Sequence, residues 1–162
     1  MRGLEEYPVT WVIGQNIFFI VYFGVGVTGL WGIQIHGIPI LSISYIVFLV
    51  TMLIFILRKT LCTRCSYYGR RCNTGWGLLS SWMFKKRAGS NSIGVKLAGV
   101  TWLLVSLIPI IGISYLLVVD FMVSRLTLLI VFIFLTLINF LIHRESCRKC
   151  EMQSVCPMSM MR

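Results

Sequence analysis

The sequence predicts an all-α integral membrane protein: four transmembrane helices arranged as two parallel-repeat helical hairpins, each followed by a cytoplasmic cysteine trio. Three observations carry that prediction. Of 162 residues, 57% are hydrophobic and only 12% charged, which lies outside the composition of a soluble domain. The apolar residues fall into four runs, each near the length a bilayer crossing demands. The charge is lopsided, fifteen Lys and Arg against five Asp and Glu, and it gathers in the short polar segments that set topology.

Taken in order, residues 1–10 form a polar lead with too little apolar length before Pro8 for the h-region of a cleaved signal peptide, so the first span is expected to be retained. That span covers about 11–32, since roughly twenty residues rising about 1.5 Å each cross a hydrocarbon core of about 30 Å. Trp11 and Trp31 suit its two interfaces, where an indole N–H stays wet. Gly24, Thr28 and Gly32 are small residues spaced four apart, a face on which another helix can dock closely. Gln15 and Asn16 read as hydrogen-bonding groups rather than substrate ligands.

A short connection holding His36, read as an ordinary loop histidine, leads to the second span at about 38–57. From Arg58 to Lys96 the chain carries nine Lys and Arg and no acidic residue, so by the positive-inside rule the loop 58–94 is cytoplasmic. Within it, Gly75 to Phe84 predicts a short helix. Its Trp82, Met83 and Phe84 either lie in the membrane interface beside Lys85–Arg87 or cover the cysteines. The third span, about 95–119, contains Pro109 and Gly112, where a kink is expected. Asp120 and Arg125 bracket a tight extracytoplasmic turn before the fourth span at about 126–142, whose one strongly polar side chain is Asn139. The basic tail 143–162 returns to the cytoplasm, so both termini are cytoplasmic and residues 1–162 form a single membrane domain.

All six cysteines lie in two trios, Cys62, Cys65, Cys72 and Cys147, Cys150, Cys156. The segments from Leu57 to Cys65 and from Ile142 to Cys150 align without a gap at a constant offset of 85 residues, and the third cysteines depart from it by one. Two spans separate the trios, so both hairpins point the same way. A pseudo-twofold axis along the membrane normal would bring the trios together.

Two residues between cysteines let both thiolates reach one metal ion, and neighbouring Arg and Lys offset the charge of a polythiolate site. A reducing cytosol disfavours structural disulfides. Several occupants fit the spacing: one zinc on Cys62, Cys65, Cys147 and Cys150; an iron–sulfur cluster on four of the six; or two zinc ions on all six. Cys-x2-Cys-x6-Cys with Cys-x2-Cys-x5-Cys resembles the binuclear-zinc pattern of fungal transcription factors. The resemblance is confined to the cysteines and implies no DNA recognition, because two spans replace the short linking loop. Cys156-Pro157 resembles the Cys-Pro that closes bacterial ferredoxin motifs, although the spacing before it differs.

The function predicted is a membrane subunit or scaffold with a cytoplasmic zinc or iron–sulfur site, either locking the cytoplasmic face or relaying electrons to another membrane or cytoplasmic subunit or a second copy. The first alternative is a quinone-linked membrane thiol oxidoreductase working through the Cys-x2-Cys pairs. A second is soft-metal transport or sensing, because Met152, Met158, Met160 and Met161 stand near Cys156. The spans hold no acid or base for a proton path and no histidine for haem. His143, at a helix end, is a possible extra ligand. The basic segments border spans and so point to membrane lipids as partners rather than nucleic acid.

Overall fold

The computed structural model describes residues 4–151. Four of its helices are long and apolar enough to cross a membrane, and no strand forms among the described residues. Helix α1 runs Val9–Leu30. The second span begins as α2, Ile40–Leu49, widens into a π-helical stretch, Val50–Ile56, and tightens again into α3, Leu57–Thr60. A short α4, Trp76–Met83, precedes α5, Asn91–Val119, and α6, Val123–Lys149. Pro109 leaves α5 unbroken, and this proline is fully buried within the bundle.

The helices differ from the sequence expectation mainly at the cysteine end. The fourth helix was expected to stop at 142, yet α6 continues to Lys149 because nothing between His143 and Lys149 breaks it and Glu145 pairs with Arg148 and Lys149 one turn on. At the opposite end, the Asp120–Arg125 turn is as expected: the two side chains pair at 2.9 Å and the guanidinium also donates to the Asp120 and Leu116 carbonyls.

Helix α1 packs against α2, α5 and α6, and α5 packs against α6 and α3. Where α1 meets α5, glycines from both helices allow the approach: a Cβ at Gly29 would lie 2.3 Å from Ile113 Cδ1, and one at Gly112 2.3 Å from Leu30 Cδ2. The docking face is therefore turned from the one expected. Gly24 and Thr28 are exposed, the Thr28 hydroxyl bonds back to the Gly24 carbonyl, and of that trio only Gly32 meets α5, at Leu116.

Buried polar groups tie the bundle together. Tyr45 donates to the Val105 carbonyl (2.8 Å), Ser42 to the Val27 carbonyl (3.1 Å), and the Tyr22 hydroxyl sits between Ser106 and Thr136 while its ring stacks on Phe132. In hydrocarbon such bonds have no water competitor, so they fix helix register as well as adding cohesion. Helix α6 is the most peripheral span, with 6% of its apolar window buried against 28% for each of the others. Its outer face is the one a bilayer covers.

Candidate thiol centre

The first trio sits where the second span frays into loop. The Leu61 N–H still bonds the Leu57 carbonyl at 2.9 Å, but its carbonyl accepts from Arg64 in a 3-10 turn, Cys62–Arg64, and the Cys65 N–H closes back onto the Cys62 carbonyl at 3.2 Å. Cys72 lies further along the loop, its thiol 3.4 Å from the Thr74 hydroxyl. In the second trio Cys147 occupies the last turn of α6 and Cys150 is the residue that ends it. The two Cys-x2-Cys segments close alike, the Cys150 N–H reaching the Cys147 carbonyl at 3.2 Å and both second cysteines turning extended, although the first follows a 3-10 turn and the second ends a long helix. Cys156, with Met152, Met158, Met160 and Met161, lies outside the described residues. The five described cysteines are half-buried, and no disulfide joins them.

The segment Leu4–Tyr7 links the two trios. The Leu4 N–H donates to the Lys149 carbonyl (2.9 Å), and Leu4 forms a parallel bridge with Cys150. Three residues on, the Tyr7 N–H donates to the Arg71 carbonyl (3.0 Å), its hydroxyl donates to the Ser146 carbonyl (2.7 Å), and Glu6 pairs with Arg71 at 2.6 Å. Tyr67 completes the tie from the loop side: its hydroxyl donates to the Leu4 carbonyl and accepts from the Glu151 N–H at 3.2 Å. The polar lead is therefore a strap laid between the cysteine loop and the cysteine-bearing end of α6.

Tyr7 and Tyr67 are 3% and 2% exposed, so the strap's two phenols are core groups rather than surface ones. Burial, followed by the neighbouring Cys150, Tyr67, Cys147 and Cys72, holds the Tyr7 hydroxyl well above the usual phenol range. Burial likewise pushes Tyr67 up to about 12, against the pull of its Glu151 hydrogen bond. The hydrogen bonds of Tyr7 place it beside the residue that precedes a cysteine in each trio, Arg71 before Cys72 and Ser146 before Cys147.

Around Cys62 the neighbours are Cys72, Ser80, Cys65 and Arg58, with Ser80 in hydrogen-bond contact. Arg58 is 6% exposed; its Nε donates to the Leu53 carbonyl (3.2 Å) and its guanidinium lies 5.0 Å from the centre of the Trp76 ring. Its Nη1 is buried without a hydrogen-bond partner among the described residues, as are Trp11 Nε1 and Ser146 Oγ. Trp11 was expected to keep its N–H in water. It is instead packed under Tyr7 and the Lys149 ammonium. On the other trio, the His143 Nε2 stands 3.6 Å from the Cys147 thiol.

Helix α4 forms as expected, but its ends play separate roles. The loop before it folds onto α1, with the Asn16 amide donating to the Thr74 carbonyl (3.0 Å) and Trp76 packed on Phe19. Trp76 and Ser80 face Arg58 and Cys62, whereas Trp82 is 77% exposed and covers no cysteine.

Among the described residues no three or more His, Cys, Asp or Glu side chains form a group arranged to hold a metal ion. The cysteines instead stand in smaller sets around tyrosine, serine and arginine. Sequence reasoning named the cysteines and His143 and missed Tyr7, Tyr67, Ser80 and the strap, whose partners lie too far along the chain to leave a local signal. No protein-family model, curated protein or solved structure matches this chain.

Proposed function

We propose that this chain is a membrane subunit or scaffold whose two cysteine trios form one joint thiolate centre on the cytoplasmic face, with zinc or an iron–sulfur cluster as its occupant. One observation carries the reading: the segment Leu4–Tyr7 is hydrogen-bonded to both cysteine-bearing segments, to Arg71 next to Cys72 and to Ser146 and Lys149 next to Cys147 and Cys150. The helix packing supports the parallel repeat as well. Helices α1 and α5 touch at the centre, each flanked by its own hairpin partner and by the partner of the other. The nine Lys and Arg between Arg58 and Lys96 support a cytoplasmic location for this end.

The described donors do not by themselves fit an ion in this arrangement, since the strap lies between the trios and Cys156 is not among them. The metal reading therefore rests on the donor chemistry: six soft ligands in two like-spaced sets with cations close by. Its test is the metal and acid-labile sulfide content of anaerobically purified protein, with a visible spectrum before and after dithionite. Iron with sulfide and a band that bleaches supports a cluster, and about one or two colourless zinc ions per chain supports a structural clamp. Protein with neither metal sinks both.

A second reading is a quinone-linked thiol oxidoreductase working through the Cys-x2-Cys pairs, and the turn that folds the Cys65 N–H back onto the Cys62 carbonyl at 3.2 Å favours it. There, two thiols would close to a disulfide while two electrons and two protons pass to a quinone, giving the quinol. Metal-free protein that gains a Cys62–Cys65 disulfide on addition of a soluble quinone would mark this chemistry. Soft-metal transport, resting on methionines beside Cys156, gains no support among the described residues.

A further inference from the structure

We propose that the turn after α4 is a binding site for anionic phospholipid headgroups in the leaflet on the cysteine side. Five cations meet there. Lys59 and Arg64 come from the end of the second span, Lys85, Lys86 and Arg87 follow α4, and all five side chains are exposed. Backbone contacts hold the two segments together: the Arg87 N–H donates to the Thr63 carbonyl at 2.9 Å, and the Arg64 Nε donates to the Gly89 carbonyl. Gly89 lies so close to the backbone of Lys59 and Thr60 that any side chain there would collide. The patch is therefore a fixed cluster rather than a flexible basic run.

None of the five has a carboxylate partner among the described residues, and the sequence supplies no acid between Glu6 and Asp120. So concentrated a positive charge needs an external counter-anion. Position selects which one. The second span ends at Arg64, so Lys59 and Arg64 stand at its membrane boundary, and α4, which packs against that end, carries Trp82 and Met83 outward, 77% and 38% exposed. An exposed indole directly beside clustered lysines is the arrangement that seats a ring among acyl carbons and ammonium groups on phosphates. The protein thus holds lipid at the same corner that carries Cys62.

The test uses full-length protein in detergent micelles doped with phosphatidylglycerol or phosphatidylcholine, with bound lipid counted by native mass spectrometry. Wild type should retain phosphatidylglycerol selectively, and K85Q/K86Q should retain it about thirty-fold more weakly. Arg87 is left in place because its backbone is left-handed, φ 64°, and hydrogen-bonded. In vesicles of the same lipids, brominated phosphatidylglycerol should quench tryptophan emission in wild type more than in W82F. Equal retention of the two lipids by wild type, unchanged retention in K85Q/K86Q, or release of the lipid by millimolar inorganic phosphate would each overturn the proposal, the last by identifying free phosphate as the ligand. Melting of K85Q/K86Q at the wild-type temperature guards against misfolding, and the W82F quenching result decides the matter if that variant is unstable.

Discussion

At the scale of single residues, the hydroxyl of Tyr67 ties the cysteine end together, because it joins the Leu4 carbonyl to the Glu151 N–H across three separate stretches of chain. Tyr67→Phe removes both bonds and should cost about 1–2 kcal/mol, read as a lower melting temperature and as faster proteolysis ahead of Val9. Unchanged protection of that segment would refute the strap's dependence on Tyr67. The same group predicts a pH response. Its folded pKa of about 12 lies above the ordinary 10.0, so its contribution is complete below pH 10 and is lost as pH rises through about 12. Tyrosinate absorbance should accordingly show late-titrating phenols, and Tyr67→Phe should remove the step near pH 12 while the still later Tyr7 remains. The cysteines were legible from spacing alone. The tyrosines were not, because a phenol announces neither its burial nor its partner until a distant segment is folded onto it.

Among the elements, α4 is the one whose seat is set most sharply. A Cβ at Gly77 would fall 2.1 Å from the Tyr67 carbonyl oxygen and 2.7 Å from that of Arg70, both backbone atoms that cannot swing aside. At Gly29 the obstruction is the flexible tip of Ile113. Both glycines are helical and both gain the same propensity on becoming alanine, so the difference between them is steric. Gly77→Ala should destabilise toward the upper end of the roughly 1–3 kcal/mol typical of overpacking, and Gly29→Ala toward the lower end. Thermal melts of the two variants in one detergent check the order, and a larger loss for Gly29→Ala would contradict it. Hydropathy located all four spans, since the bilayer imposes their length. It missed the continuation of α6 through Cys147, because polar residues outside hydrocarbon carry no length rule and here follow helical charge pairing instead. It also missed which face of α1 meets α5: small residues mark where close approach is possible, whereas the bulky partners on the other helix decide where it happens.

For the whole molecule, the charge map predicts that both cysteine segments lie on the cytoplasmic side of the membrane. Cys72, partly exposed, should react with a membrane-impermeant maleimide in inside-out vesicles and remain unlabelled in right-side-out ones. The reverse pattern would invert the topology and favour thiol oxidation in a more oxidising compartment. That the two trios share one end was legible from the even number of spans between them. That a third segment lies between them was not, because nothing in a polar decapeptide specifies a partner 139 residues away. This separation gives the strap a place in time as well as in space. Leu4–Tyr7 are made well before Ser146 and Lys149, so the strap has no second anchor until α6 has been synthesised. The end that carries the cysteines is therefore tied late, and until then its first trio lies in a loop not yet joined to the second.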